Sequence, residues 1–231
     1  MLPRFELKFL ISHAQKERIR ELVTEILKPD PYGHLGVYRV TSLYYDTPGL
    51  TAYWEKVDGV ASRRKYRLRF YGPLESADTF FMEIKGREDR VVLKQRSRLE
   101  PAAARRKLVE LESLAGLTSQ ALDHLDTAEA VELEGYRQQL RPAATVTYLR
   151  EAWIGILESR LRLTFDQFCQ GGPPGSFNFR EAAALHAPSQ SIMEVKFDHQ
   201  IPRWLSDRIT EVEARPVRFS KYANAVEMLK S

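Results

Sequence analysis

Charged and apolar residues alternate with a period of two in many separate stretches of this chain. Along Arg63–Phe70, Lys65, Arg67 and Arg69 share one face of a strand, and Tyr66, Leu68 and Phe70 share the other. Arg4, Glu6 and Lys8 alternate in the same way with Phe5, Leu7 and Phe9. Glu83 and Lys85 alternate with Met82 and Ile84, and Lys94, Arg96 and Arg98 stand against Leu93 and Leu99. Later in the chain, Arg160, Arg162, Thr164 and Asp166 alternate with Leu161, Leu163 and Phe165, and Glu194, Lys196 and Asp198 with Met193, Val195 and Phe197. The pattern predicts strands over 4–11, 37–46, 62–71, 80–86, 91–99, 143–150, 160–166 and 191–198, with a hairpin turn near Arg87-Glu88-Asp89.

The remaining stretches carry helical signals. Ser12, with Gln15 three residues on, predicts a capping box. Ile19, Leu22, Val23, Ile26 and Leu27 give the helix that follows an apolar stripe, and Pro29-Asp30-Pro31 ends it. A short helix is expected around 50–55, a helical insertion over about 101–139 with a break near Gly116, and helices after Pro202 and from Lys221. Gly171-Gly172-Pro173-Pro174-Gly175 reads as a loop.

The expected fold is α+β: about eight antiparallel strands closing into a barrel with a charged interior, surrounded by helices, in one domain over 1–231. Small barrels ordinarily fill with apolar side chains. Burying so many cations is costly without counter-charge, so the interior must stay wet or be neutralised by Glu6, Glu83, Glu194 and an anionic ligand.

Composition narrows the chemistry. The chain has 231 residues, 43% hydrophobic and 29% charged, with a net charge of +4, so the clustering of charge says more than its total. A single cysteine, Cys169, excludes an internal disulfide and a cysteine-rich metal site. Charge at Arg4 and Glu6 argues against a signal peptide, and no segment approaches the roughly 18 apolar residues of a membrane span, so a cytoplasmic protein is expected. Nucleic acid is a usual partner of basic strands, but Trp54, Trp153 and Trp204 lie off the charged strands, so no nucleic acid is expected. The sequence contains no GxxxxGK[ST], GxGxxG, HExxH, CxxC or GxSxG motif, and its five histidines are scattered. Phosphate would therefore be bound by side chains. Arg offers bidentate hydrogen bonds and Lys a point charge. The carboxylates on these faces, Glu6, Glu83 and Glu194 with Asp166 and Asp198, are expected both to pair with the cations and to hold a hard divalent ion such as Mg²⁺ or Mn²⁺, Glu194 being the first choice as metal ligand.

In this order, Arg4-Phe5-Glu6-Leu7-Lys8, Ser42-Leu43-Tyr44-Tyr45-Asp46, Lys65-Tyr66-Arg67-Leu68-Arg69 and Glu83-Ile84-Lys85 are familiar. So are Tyr148-Leu149-Arg150, Arg162-Leu163-Thr164-Phe165-Asp166, Glu194-Val195-Lys196 and Ser220-Lys221-Tyr222. The chain resembles the VTC domain, the polyphosphate polymerase branch of the triphosphate tunnel metalloenzymes. The resemblance implies an eight-stranded tunnel, a divalent metal, and transfer of the γ-phosphoryl group of ATP to a growing polyphosphate chain. It implies that Lys8, Arg67, Arg69, Lys85, Lys94, Arg150 and Arg162 hold phosphates, that Glu194 holds the metal, and that Lys221 reaches in from the C-terminal helix. On the same faces, Lys65 and Lys196 complete the phosphate-binding set. Arg67, Arg69, Arg162 and Lys85 are expected at the transferring group. The related CYTH branch opens with ExExK; Arg4 replaces its first Glu and favours the VTC branch. The eukaryotic polymerases of this type carry an SPX domain and membrane helices, and neither is present here. A membrane-protein partner and the oligomeric state stay open, as do a metal-dependent triphosphatase and a non-catalytic polyphosphate-binding module.

Overall fold

A computed structural model describes residues 5–88, 91–156, 160–177 and 182–231. Arg4 and Asp89 of the expected hairpin turn lie outside them. The elements in chain order are β1 (Phe5–Ser12), α1 (His13–Ile26), β2 (Leu27–Pro29), β3 (Val37–Asp46), α2 (Thr51–Val57), β4 (Arg63–Tyr71), β5 (Phe80–Glu88) and β6 (Val91–Leu99). Then follow α3 (Pro101–Val109), α4 (Leu117–Gln120), α5 (Leu125–Arg137), β7 (Arg141–Gly155), β8 (Arg162–Gly172), β9 (Ala183–Ala184), β10 (Gln190–Phe197), α6 (Arg203–Glu211) and α7 (Lys221–Lys230). The described strand pairings are antiparallel, which establishes the α+β class. The chain clusters into two compact units.

The first unit comprises Met1–Tyr38, Tyr148–Cys169 and His186–Phe219. Its strands run in the order β1-β10-β8-β7, with β2 paired to β7. The apolar half of each alternation forms its core: Phe9 and Ile11 of β1, Leu163 and Phe165 of β8, Met193 and Val195 of β10. Helix α1 adds Ile19 and Val23, and α6 adds Leu205 and Ile209. The predicted capping box starts α1: Ser12 Oγ accepts from the Gln15 amide at 3.2 Å, and Gln15 Oε1 accepts from the Ser12 amide at 2.8 Å. Leu27, expected on the α1 stripe, instead opens β2, so the helix ends before the proline pair.

The second unit comprises Arg39–Thr147, Gln170–Leu185 and Ser220–Ser231, with strand order β7-β3-β4-β5-β6. Leu43, Leu68 and Met82 are successive cross-strand partners of its buried face. That face is covered by Ala104 and Leu108 of α3 and Val131 of α5. The expected helical insertion is more broken than its Ala/Leu/Glu pattern suggested. Buried Lys107 donates to the carbonyls of Ser113 at 3.1 Å and Ala115 at 2.6 Å, which pins the chain into a loop after α3. Gly116 then adopts φ +73°, open to glycine, to start α4. Gly171 and Gly172, read as loop, complete β8. A Cβ on Gly171 would stand 2.6 Å from Ala225 Cβ, so the glycine lets α7 pack on the strand end.

β1 ends the strand order of the first unit and β6 that of the second, so the described pairings do not establish the closed barrel. The described strands number ten rather than eight because β2 and β9 add short extra pairings. No described helix is long and apolar enough to cross a membrane.

Candidate functional site

The register of β3, β4, β5 and β6 stacks the charged residues of the second unit in rows. Tyr44, Arg67, Glu83 and Arg96 form one row of cross-strand partners; Ser42, Arg69, Phe81 and Arg98 form the next. On the other side of the first row, Lys65 faces Lys85, and Lys85 faces Lys94. Cross-strand partners project from the same side of a sheet, so these residues share one face.

Glu83 organises the rows. It is fully buried, with Arg67 Nη2 at 2.6 Å and Arg69 Nη1 at 3.6 Å from its Oε2, and Lys94 Nζ at 2.5 Å from its Oε1. Burial pushes its carboxyl up, but Arg69, Arg67 and Lys94 outweigh that and hold it well below the usual carboxylate range. One carboxylate among three cations leaves the cluster positive. Lys94 carries the consequence. Burial of its ammonium is the main cause that brings it down to about 7, reinforced by Arg69 and Arg67 and opposed by Glu83. Its side chain is nevertheless 40% exposed. The ammonium lies against the fully buried carboxylate of Glu83, and burial at that contact fixes the downward direction of the shift.

Tyr44 and Ser42 complete the support. Arg67 Nη1 donates to Tyr44 Oη at 2.9 Å, and Arg69 Nε donates to Ser42 Oγ at 3.1 Å. Burial would raise the Tyr44 phenol, yet Arg67, Arg69 and Lys221 lower it below its ordinary value. Tyr44 also stacks on Tyr222 of α7, centroids 4.9 Å apart. Tyr222 donates to Asp46, which accepts the backbone amides of Ala52 at 3.0 Å and Tyr53 at 3.1 Å in the first turn of α2. Lys65 donates to Ser220 Oγ at 3.0 Å, at the start of α7 and next to Lys221. The C-terminal helix is thereby fixed to the basic face of β4.

In the first unit, the registers Glu6↔Lys196, Lys8↔Glu194 and Lys196↔Arg162 bring a second charged set together. Lys8 lies 3.2 Å from Glu6 and 3.8 Å from Glu194; Lys196 lies 3.6 Å from Glu6 and 2.7 Å from Glu194. Lys8 also donates to the Phe219 carbonyl at 3.2 Å. Arg162 donates to buried Asp30 and, at 3.0 Å, to Tyr38 Oη. Arg150 makes a two-pronged pair with buried Asp166, at 2.7 and 2.8 Å. Burial works against the Arg150 charge, but Asp166 more than offsets it and raises the guanidinium well above its ordinary value.

The expected site residues thus fall into two sets. Lys65, Arg67, Arg69, Lys85, Lys94 and Glu83 share the face in the second unit, and Lys221 stands at the start of α7. Lys8, Glu6, Glu194, Lys196 and Arg162 lie in the first, with Arg150 on Asp166. Sequence reasoning missed Tyr44, Asp30, Tyr38 and Tyr222 as partners of the cations. A signal existed for Tyr38, Ser42 and Tyr44, which fall on one face of β3 by simple alternation. Asp30 carried none, since Pro29-Asp30-Pro31 reads only as a helix stop.

Among the described residues, no three His, Cys, Asp or Glu side chains converge as a complete metal cage. Glu6 and Glu194, bridged by two lysines, do fit a hard divalent ion. Such ions are commonly held by one or two carboxylates with substrate phosphates completing the shell. Glu83 is enclosed by Arg67, Arg69 and Lys94, where a further cation would meet like charge.

Comparison with known proteins supplies the relatives. The VTC domain profile matches residues 3–230. A candidate adenylyl cyclase from Hippeastrum, described as having a dominant triphosphatase activity, superposes with a TM-score of 0.62 at 13% identity, covering 99% of this chain and 96% of its own. A protein from Pyrococcus horikoshii gives a TM-score of 0.51 at 14% identity, with coverages of 97% and 99%. A candidate adenylate cyclase from Bacillus halodurans gives 0.51 at 14% identity, with coverages of 94% and 93%. Identities this low establish a shared fold. No curated protein matches the sequence.

Proposed function

This chain belongs to the VTC domain family, and on that premise we propose that it is a metal-dependent phosphotransferase that moves the γ-phosphoryl group of ATP onto a polyphosphate chain. The observation that carries this reading is the cluster around Glu83. Arg67 and Arg69 are held in place by a buried carboxylate that neutralises only part of their charge. Phosphoryl transfer needs positioning and charge stabilisation more than covalent chemistry, and preorganised guanidinium groups supply both.

A terminal oxygen of the polyphosphate, already anionic, attacks the γ-phosphorus in line. The new O–P bond forms as the bond from the γ-phosphorus to the bridging oxygen breaks, and ADP leaves with that electron pair. No proton need be removed from the nucleophile, which agrees with the absence of a general base from the proposed set. Arg67, Arg69, Arg162 and Lys85 stabilise charge on the transferring group. Lys8, Lys65, Lys94, Arg150, Lys196 and Lys221 hold the polyanion. Glu194 and Glu6 would hold Mg²⁺ or Mn²⁺, which supplies charge neutralisation on phosphate oxygens. The closed eight-stranded tunnel, one functional domain over 1–231 and a cytoplasmic setting belong to the same reading.

A second reading, a triphosphatase with water as acceptor, is favoured by one observation: the Hippeastrum protein of similar fold is described by that activity. Incubation with ATP and Mg²⁺ or Mn²⁺ separates the two. Polyphosphate ladders on a gel support the polymerase, and free phosphate alone supports hydrolysis. The Arg67→Ala, Arg69→Ala double variant should lose at least about a hundredfold in turnover in either case; parental turnover would remove the basis of both.

A further inference from the structure

One aromatic side chain sits where the ionic pattern has no use for it. Phe81 lies on the charged face of β5, two residues from Glu83, with Arg69 and Arg98 as its cross-strand partners. It is only half-buried, and Phe70 and Phe80 supply the aromatic packing of the opposite, apolar face. Arg96 places its guanidinium 4.6 Å from the Phe81 ring centroid. Tyr71, next along the charged face of β4, meets Phe81 edge-on with centroids 6.3 Å apart. Tyr71 and Arg96 thus flank a partly open ring.

From this arrangement we infer that Phe81, Arg96 and Tyr71 form a stacking platform for the base of a nucleoside triphosphate. This inference rests on the phosphate-binding reading of Arg67 and Arg69. Successive rows on one face of a strand are about 7 Å apart. Phe81 is one row from Arg67 and Glu83, so the phosphates and the flat end of one nucleotide can occupy adjoining rows. Aromatic rings and the planar guanidinium of Arg both stack on bases, and neither demands a particular hydrogen-bonding edge. The platform therefore selects a nucleoside triphosphate over an inorganic one and discriminates weakly among bases. The tryptophans, where stacking is usually sought in a sequence, take no part in it.

Titration calorimetry on the full chain tests this with two probes, a non-hydrolysable ATP analogue and inorganic tripolyphosphate. Phe81→Leu should weaken the ATP analogue by roughly tenfold while changing tripolyphosphate by less than about twofold. Arg96→Lys keeps the charge and removes the plane, and it should show the same selectivity. Because Arg96 is exposed, this variant serves if Phe81→Leu unfolds. Equal losses for both probes would make Phe81 a mere support for the arginines and overturn the platform, as would no loss for either. If the parental protein binds tripolyphosphate as tightly as the analogue, the platform alone falls. If it binds neither, the phosphate-binding reading falls and takes the platform with it.

Discussion

Glu83 and Arg67, cross-strand partners on β5 and β4, form a buried ion pair at 2.6 Å in which the carboxylate serves more than one cation. Removing its charge with Glu83→Gln leaves Arg67, Arg69 and Lys94 packed together without a counter-ion. Breaking a buried pair in this way should cost about 3 kcal/mol, the lower end of the usual range because the Lys94 side chain is partly exposed. Urea unfolding measures the loss. Added tripolyphosphate should restore more stability to the variant than to the parent, since the anion replaces the missing charge. An equal gain in both proteins would count against phosphate binding at this cluster.

Lys94 predicts a pH dependence with two opposite signs. Its folded value, about 7, lies below its ordinary 10.5. Between these values the unfolded chain holds the proton and the folded chain has released it, so this residue makes stability rise with pH across that window. Binding of a polyanion goes the other way, because the ammonium that would contact it is lost as pH rises through about 7. Tripolyphosphate affinity should therefore fall between neutral and mildly alkaline pH, and Lys94→Arg should flatten that fall. A parental profile that stays level from pH 6 to 9 would remove Lys94 from the binding set.

The Arg67, Arg69, Glu83 and Lys94 cluster was legible in the sequence because strand alternation is local: each residue's face follows from its neighbours two positions away. The α1 cap and stripe were legible for the same reason, as Ser12, Gln15, Ile19 and Val23 lie within a few turns. The contacts made across long stretches of chain were not. Asp30 reaches Arg162 across 132 residues of chain, and Tyr222 reaches Asp46 across 176. Such pairs depend on strand order and register, which alternation leaves undetermined. Strand ends were also misplaced where packing overrode local signals. Gly171 and Gly172 read as turn residues, yet the close approach of Ala225 requires a glycine inside β8.

Glu194 and Glu6 give a separate prediction about metal. Mn²⁺ binding, followed by electron paramagnetic resonance in the presence of tripolyphosphate, should weaken at least about tenfold in Glu194→Gln. Glu6→Gln should weaken it too, and Glu83→Gln should not, because Glu83 is enclosed by cations. Chelation of divalent ions should abolish turnover of the parent. Unchanged Mn²⁺ affinity in both the Glu194 and Glu6 variants would place the ion elsewhere.

Asp46 joins the C-terminal helix to the cation face, and its loss should be felt at a distance. Its carboxylate accepts the Thr47 amide at 2.7 Å, the Ala52 and Tyr53 amides, and the Tyr222 hydroxyl. Asp46→Ala strands these buried donors and should cost about 2 kcal/mol. Tyr222→Phe removes one bond, keeps the ring stacked on Tyr44, and should cost about 1 kcal/mol. Because α7 begins at Ser220 and Lys221, next to Lys65, loosening the helix displaces both lysines. Hydrogen exchange of the α7 amides should therefore quicken in both variants, more in Asp46→Ala. Tripolyphosphate affinity should drop in parallel, with the drop smaller in Tyr222→Phe. Faster exchange in α7 with unaltered affinity would mean that the helix is anchored for stability alone and that Lys221 does not serve the anion.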